Sequence, residues 1–196
     1  ELLDRGDAPP AEVARSLADL RRMNRWLGGR SVLLGMLARE GLARFSLLDV
    51  GAASGDLAHA VARRFPASRL VVCDLHPRHL IPNHLPAVAA AAQSLPFPDR
   101  SFDFVAASLF LHHFRDPDVV TLLAAFGRLA RRAVLVNDLE RHRFPQLFLR
   151  LTAPLFARSY LTRHDGAASL RQAFRPDELR SLAQAAGFPN SQVRRH

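Results

Sequence analysis

The sequence predicts an α/β fold in which a doubly wound, mostly parallel sheet carries helices on both faces. Short runs of continuously apolar residues recur along the chain, as expected for strands that are buried on both faces. Amphipathic helical patterns separate these runs, which is the alternation typical of such a sheet. The chain has 196 residues, 48% of them hydrophobic and 23% charged. These values suit one globular domain, and we expect residues 1–196 to form a single unit.

The individual elements follow from periodicity and from start and stop signals. Asp116 and Pro117 form a typical helix start, and Gly28 and Gly187 follow the ends of helical patterns. Helices are predicted over 11–27, 31–40, 56–65, 116–130 and 176–187. Strands are predicted over 46–50, 70–74, 101–108 and 133–138, with a weak strand at 87–92 and a last one at 191–196. Residues 1–42 form a helical N-terminal part in this scheme.

Charge and cysteine content exclude several chemistries. The net charge is +9, and all 27 basic residues are arginine, so a Schiff-base lysine and a P-loop are excluded. Cys73 is the only cysteine, which excludes an intramolecular disulfide and a multi-cysteine zinc site. No metal site is expected, because no histidine pair or carboxylate cluster has ligand spacing. The arginines are scattered, which favours mutational bias over a nucleic-acid surface.

The pattern of apolar runs also bears on location. No stretch reaches 18 uncharged apolar residues, and no signal-peptide pattern is present. We therefore expect no membrane span and a cytoplasmic protein. The oligomeric state stays open.

Parallel sheets of this type bind ligands beyond the carboxyl ends of their strands. The first strand contains Asp49 near its end and is followed by Gly51, Ala52, Ala53, Ser54 and Gly55, which are small residues that let a ligand approach the backbone. A dinucleotide fingerprint starting at Gly51 fails, because Ala53 and Asp56 occupy two of its glycine positions. Asp74 ends the second strand, where a carboxylate can accept hydrogen bonds from both ribose hydroxyls of a nucleoside. Alternatively, the loop is only a tight turn and Asp74 only caps the next helix.

Three segments carry a resemblance to a known family. LLDVGAASGD, VVCDLHP and AAQSLPFPDRSFDFVAASLFLHHFRDP resemble class I S-adenosylmethionine-dependent methyltransferases of the small-molecule branch, including the ubiquinone and menaquinone C-methyltransferases. A weaker likeness joins residues 137–166 to methyltransferases that accompany polyketide synthases. The resemblance implies a Rossmann-like sheet of seven strands with the last one antiparallel. Because the chain stops within the sixth strand, we expect six strands at most, without the last one.

The resemblance also implies S-adenosylmethionine as the cofactor and assigns its contacts. Asp49 and the loop from Gly51 through Ala52 and Ala53 to Gly55 would hold the methionine part. Asp74 would bind the ribose, Leu75 would cover one face of the adenine, and Ala92 and Gln93 would meet its edge. The residues from Ser108 to Leu111, after the fourth strand, would line the methyl-transfer side. Two positions depart from the family: Ala53 replaces a glycine, and Ala91 replaces an acid.

Transfer to a phenol or enol benefits from a general base with a pKa near neutrality, which favours histidine. His113 is the preferred candidate, with His112 beside it after the fourth strand. His142 after the fifth strand is a third candidate, and His164 a fourth. Asp138 lies at the end of the fifth strand, where it can orient His142 or His164. Alternatively, the LHHF run is only a polar helix entry.

Residues 139–168 interrupt the alternation and are expected to form a lid over the acceptor pocket. Their apolar positions follow roughly helical spacing and suit an aromatic or alkyl-bearing acceptor; they are Phe144, Leu147, Phe148, Leu151, Leu155 and Phe156. Arg141, Arg143 and Arg163 can attract an anionic group. Alternatively, the segment is a helical hairpin that packs on the sheet edge.

The leading hypothesis is therefore methyl transfer to a small aromatic or polyketide-like acceptor, with O-methylation favoured. C-methylation of a quinone precursor is the nearest alternative. Nucleic-acid methylation is disfavoured, since SLFL after the fourth strand lacks the Asn/Asp-Pro-Pro-aromatic run that grips a flipped base. A cofactor-binding fold without catalytic activity is the remaining alternative.

Overall fold

The computed structural model describes residues 2–3, 7–26, 28–80, 84–142 and 157–195. Its core is a five-stranded sheet with the order β3-β2-β1-β4-β5, in which every neighbouring pair is parallel. The strands are β1 (Ser46–Val50), β2 (Arg69–Asp74), β3 (Ala87–Ala89), β4 (Phe102–Ser108) and β5 (Ala130–Asn137). The strand order reverses between β1 and β4, so the switch point lies at the centre of the sheet. The predicted doubly wound, mostly parallel fold is confirmed.

Seven α-helices accompany the described strands. They are α1 (Pro10–Trp26), α2 (Gly29–Arg39), α3 (Asp56–Arg64), α4 (Pro77–Leu80), α5 (Asp116–Leu129), α6 (Tyr160–Gln172) and α7 (Pro176–Ala185). Single 3-10 turns cover Ala92–Ser94 and Leu111–His113. None of the described helices is long and apolar enough to cross a membrane.

Apolar packing covers both faces of the central strands. Leu48, Val50, Val105 and Ala107 pack with the α5 side chains in one cluster of buried residues. Leu47, Phe104 and Ala106 point to the opposite face and pack with residues of α2 and α3. Adjacent apolar residues of one strand, such as Leu47 and Leu48 of β1, therefore enter opposite clusters, and both faces of the central strands are buried. This burial fixes the sheet whose carboxyl edge carries the candidate site.

The predicted sixth strand at 191–196 is wrong as far as the structure describes it. Residues 191–195 contain no strand, and Arg195 instead pairs with Glu140 at 2.8 Å. Val193 is the only apolar residue of this segment, so a strand here would bury little side chain against the sheet. The weak strand at 87–92 is confirmed in a shorter form, 87–89, because the chain enters a 3-10 turn at Ala92.

The expected lid is described only in part. Residues 143–156 lie outside the described residues, and with them Phe144, Leu147, Phe148, Leu151, Leu155, Phe156 and Arg143. The expected boundary at 168 falls inside α6, which is continuous from Tyr160 to Gln172. The sequence does not predict this helix, because its apolar residues do not form a clear stripe. It is instead buried partly through polar residues, among them Thr162, Asp165 and Ser169.

Candidate functional site

A cleft lies along the carboxyl ends of β1, β2, β4 and β5. The predicted cofactor residues and two of the predicted catalytic histidines line it together; they are Asp49, Gly51, Ala52, Ala53, Asp74, Leu75, Ala92, Gln93, Ser108, His112 and His113. Gly55 is buried at the back of the glycine loop, where α3 begins. The parallel topology brings these residues to one edge although they span more than 60 positions.

The glycine loop turns sharply between β1 and α3. Gly51, Ala53 and Gly55 all have positive φ angles, of 68°, 47° and 68°. A left-handed backbone suits glycine and costs an alanine about 1 kcal/mol or more. The space at Gly51 gives a second reason for glycine, since a Cβ there would overlap the Phe110 ring. Ala53 therefore carries backbone strain, which the surrounding contacts must hold in place.

Asp49 places a carboxylate in the interior behind this loop. Burial raises its pKa to about 7, against an opposing hydrogen bond from the Ala58 amide and with smaller repulsion from Asp56 and Asp74. Its Oδ2 atom is buried and has no hydrogen-bond partner among the described residues. An unsatisfied buried oxygen of this kind is costly. Asp49 thus offers the cleft an acceptor for an ammonium or hydroxyl group.

Asp74 holds three hydrogen bonds at the end of β2. The Ala53 amide donates to Oδ2 at 2.9 Å, and the His76 amide donates to Oδ1 at 2.9 Å. His79 Nδ1 lies 3.1 Å from Oδ1. Burial by itself would raise the pKa of this carboxyl, but the hydrogen bonds from His79, His76 and Ala53 lower it. Asp74 therefore caps the turn into α4, as the alternative held, and it also anchors the glycine loop.

A histidine and an aspartate meet where β4 and β5 end. His112 Nδ1 lies 2.5 Å from Asp138 Oδ1, and the His112 amide donates to Asp138 Oδ2 at 3.2 Å. Both side chains are buried, with 3% and 2% of their surface exposed. Because a carboxylate only accepts hydrogen bonds, a neutral His112 ring in this contact carries its proton on Nδ1. This is the arrangement of a general base with its orienting acid.

The other predicted histidines have different surroundings from His112. His113, the preferred candidate, stacks on His112 with ring centroids 4.4 Å apart and is less buried. The expectation that Asp138 orients His142 or His164 is corrected, because its carboxylate holds His112. His142 is exposed just after β5, and His164 lies 3.0 Å from Asp165.

The remaining predicted contacts are distributed around the cleft. Leu75 is 59% exposed directly after Asp74, unusual for a large apolar side chain. Ala92 is buried and Gln93 is exposed after β3, and the Ser108 hydroxyl accepts a hydrogen bond from Asn137 Nδ2 at 3.1 Å. Of the cationic lid candidates, Arg141 pairs with Glu178 and Arg163 donates to the Ala157 carbonyl.

Helices α1 and α6 cover one end of the cleft and form what we call the cap. Leu17 of α1 and Leu161 of α6 share a buried cluster against which Ala53 packs. Asp19, fully buried, accepts the amides of Arg158 and Ser159 at 2.7 and 2.8 Å. The hydrogen bonds of Asp19 hold the cap together, and the packing of Ala53 joins the cap to the glycine loop.

Sequence reasoning missed His79 and Asp19, and it placed Phe110 on the methyl-transfer side without its position against Gly51. A histidine five residues after the strand-end acid is a usable signal for His79, since the first turn of the next helix returns to the strand end. Leu109, with a φ of 52°, marks the strained turn that directs Phe110 onto Gly51, but nothing in the residue types predicts that angle. Asp19 joins residues 139 positions away, which one sequence cannot indicate.

Comparison with known proteins agrees with this geometry. Residues 48–136 match a family model described as "Methyltransferase domain". The chain is 32% identical over 123 residues to a demethylmenaquinone methyltransferase of Anoxybacillus flavithermus, an alignment that covers 57% of this chain and 51% of the relative. The chain thus spans about half the length of the curated relatives it matches.

Solved structures share the fold. Human N-acetylserotonin methyltransferase in complex with S-adenosylmethionine has a TM-score of 0.66 at 20% identity, over 94% of this chain and 53% of that one. A SAM-dependent methyltransferase from Aquifex aeolicus has a TM-score of 0.60 at 13% identity, over 92% of this chain and 89% of that one.

The cleft fits S-adenosylmethionine, which the structure of human N-acetylserotonin methyltransferase contains. S-adenosylmethionine combines an ammonium and carboxylate with a ribose and an adenine. Asp49 supplies an unpaired buried oxygen, the positive-φ loop exposes backbone, and Leu75 presents an uncovered apolar face next to Asp74. These observations agree with the methyltransferase domain matched over residues 48–136 and with the fold that the chain shares with S-adenosylmethionine-dependent methyltransferases.

Proposed function

We propose that this protein transfers a methyl group from S-adenosylmethionine to a hydroxyl oxygen of a small aromatic or polyketide-like acceptor. The observation that carries the proposal is the buried His112–Asp138 pair, 2.5 Å apart, in the cleft of the glycine loop. O-methylation requires removal of a hydroxyl proton, for which this pair is suited. His112 thus replaces His113 as the residue to which we assign the base.

The cofactor residues keep the roles expected from the sequence. Asp49 and the loop of Gly51, Ala52, Ala53 and Gly55 hold the methionine part, and Asp74 binds the ribose. Leu75, Ala92 and Gln93 surround the adenine, and Ser108 borders the reacting groups. The bound cofactor supplies a methyl group on a sulfonium sulfur, which needs no further activation by the protein.

His112 performs the proton transfer in this proposal. Asp138 accepts the Nδ1 proton and holds the ring, so that Nε2 takes the proton from the acceptor hydroxyl as the oxygen attacks. A phenol with a pKa near 10 is almost entirely neutral at pH 7, which makes this step valuable. With the cofactor bound, its methyl group would pass from the sulfonium sulfur to the acceptor oxygen, and the His112 imidazolium would keep the proton beside the Asp138 carboxylate.

The cleft near His112 supports an aromatic acceptor. Phe110, Phe114 and Phe174 line it, and Phe110 and Phe114 pack edge to face with centroids 5.0 Å apart. Aromatic side chains of this kind favour planar apolar ligands. Leu139, Glu140 and several residues of α6 border the same cleft, and we keep the proposal that the 139–168 segment serves as a lid.

The test is a panel of phenols of graded acidity with His112→Ala, Asp138→Asn and His113→Ala. We expect His112→Ala to lower kcat by about 100-fold or more while the cofactor Kd stays unchanged. The loss should shrink for acidic nitrophenols and at high pH, since those acceptors ionise without a base. His113→Ala is the matched control and should retain most activity.

Two results would contradict the proposal. Equal losses for weakly and strongly acidic phenols would exclude a base role for His112. A product methylated on carbon, read from its NMR spectrum, would instead support the second candidate. That candidate is C-methylation of a quinone precursor, favoured by the name of the 32% identical relative, a demethylmenaquinone methyltransferase.

A further inference from the structure

The carboxylate of Asp74 is almost filled by hydrogen bonds from the protein itself. A carboxylate offers about four acceptor positions, two on each oxygen. Oδ1 accepts the His76 amide and faces His79 Nδ1, at 2.9 and 3.1 Å. Oδ2 accepts the Ala53 amide at 2.9 Å. Counting only the described residues, one acceptor position remains, and it lies on Oδ2.

His79 is the one side chain among these three donors. It lies in the four-residue helix α4, is 6% exposed, and lines the cleft together with His76. The two imidazole rings have centroids 5.0 Å apart, which supports the orientation of His79. The side chain of Asp74 is thus held from one side by His79 and from the other by the glycine loop, so it has little freedom to rotate.

We propose that His79 is a positioning residue that occupies Oδ1 of Asp74, so that Oδ2 binds one ribose hydroxyl of the cofactor and not both. The inference rests on the proposed use of Asp74 for the ribose. It differs from the expectation that Asp74 binds both ribose hydroxyls. That expectation did not include the hydrogen bonds that the carboxylate already accepts from the protein. The contact to the second hydroxyl then makes no use of Asp74.

The test measures binding by calorimetry of S-adenosylhomocysteine and of its 2′-deoxy and 3′-deoxy derivatives. In the unaltered protein, loss of one hydroxyl should weaken binding by roughly 10- to 100-fold, as expected for a hydrogen bond to a charged group. Loss of the other hydroxyl should change Kd by less than about 3-fold, because that hydroxyl makes no hydrogen bond to the charged Asp74 carboxylate.

Two variants assign the asymmetry to His79. His79→Phe keeps a ring but removes the donor, which returns an acceptor position to Oδ1. The two deoxy derivatives should then bind with similar Kd values. His79→Asn places an N–H near the former Nδ1 and should restore the asymmetry. Thermal unfolding of each variant, followed by circular dichroism, reports whether it folds.

Several outcomes would overturn the inference. Equal losses for both derivatives in the unaltered protein would show that Asp74 accepts both hydroxyls. If His79→Phe changed the Kd of all three ligands by the same factor, the difference between the two deoxy derivatives would remain. His79 would then have only a structural role. The comparison of the two deoxy derivatives in the unaltered protein tests the inference even if His79→Phe fails to fold.

The experiments distinguish failure of the proposed function from failure of the inference about His79. A protein that binds S-adenosylhomocysteine with the expected asymmetry but methylates no phenol would refute the acceptor class and leave the role of His79 intact. A protein that binds none of the three ligands would overturn both.

Discussion

At the scale of single residues, Asp49 is the group whose ionisation opposes folding most clearly. Its pKa is about 7 in the folded protein, raised by burial, and about 3.9 in an unfolded chain. Between these values the folded state binds more protons than the unfolded state. The free energy of unfolding therefore contains a part that falls as the pH rises from about 4 to about 7.

Replacement of Asp49 by Asn should remove this pH dependence. We expect the stability of Asp49→Asn relative to the unaltered protein to rise with pH by up to about 1.4 kcal/mol per unit between pH 5 and 7. Above pH 8 the difference should level off. Urea unfolding of both proteins across this range is the measurement, and a constant difference would contradict it. Asp177→Asn, on an exposed side chain, is the control.

His112 and His113 illustrate what residue types leave undetermined. Both lie in the 3-10 turn Leu111–His113, where successive side chains point about 120° apart. Which of them meets Asp138 depends on how that turn leaves β4. The sequence assigned Asp138 to His142 or His164, and the structure places it against His112. A histidine base at this edge of the sheet stays a prediction.

At the scale of elements, the attachment of α1 to α6 depends on polar contacts. Asp19 accepts two backbone amides at the start of α6, and the Asp165 carboxylate accepts the amides of Leu2 and Leu3 at 2.8 and 2.9 Å. Ser16 and Thr162 add a buried hydroxyl pair at 3.1 Å. The cap is therefore held by specific hydrogen bonds in addition to the Leu17–Leu161 contact region.

Replacement of Asp19 by Ala should loosen the cap. Two buried amides would lose their acceptor, which costs about 2–4 kcal/mol when no water replaces it. We expect faster hydrogen exchange of the Arg158 and Ser159 amides, while the amides of β1 and β4 keep their protection. Asp7→Ala, on an exposed side chain in the same N-terminal part, is the control. Unchanged exchange at both amides would show that the apolar contacts suffice.

At the scale of the whole molecule, binding of the cofactor should stabilise the fold. S-adenosylhomocysteine at 100 times its Kd adds about 2.7 kcal/mol to the free energy of unfolding. For a chain of this length we expect Tm to rise by roughly 5–10 °C. Thermal unfolding at increasing ligand concentration is the measurement. The Asp74→Ala variant should show a smaller rise, and an unchanged Tm at saturation would refute binding.

The net charge of +9 is also a property of the whole molecule. Several arginines hold elements together: Arg30 pairs with Asp56 at the start of α3, and Arg195 pairs with Glu140 beyond β5. These contacts lie at separate places on the fold. They are consistent with the scattered arrangement in the sequence and give the charge a local structural use.

The sequence by itself determined the sheet, the strands β1, β2, β4 and β5, and the edge that carries the site. These follow from local patterns, since apolar runs and helix signals act over a few residues and parallel strands bring their carboxyl ends together. The glycine loop and Asp74 were found for the same reason.

Only the tertiary structure decided the pairing of His112 with Asp138, of His79 with Asp74, and of Asp19 with the start of α6. Each contact joins groups from different elements, and its formation depends on how those elements are placed in the fold. The missing strand at 191–195 has the same cause, because a strand forms only where a neighbour and enough apolar surface are available. Those conditions belong to the folded chain as a whole.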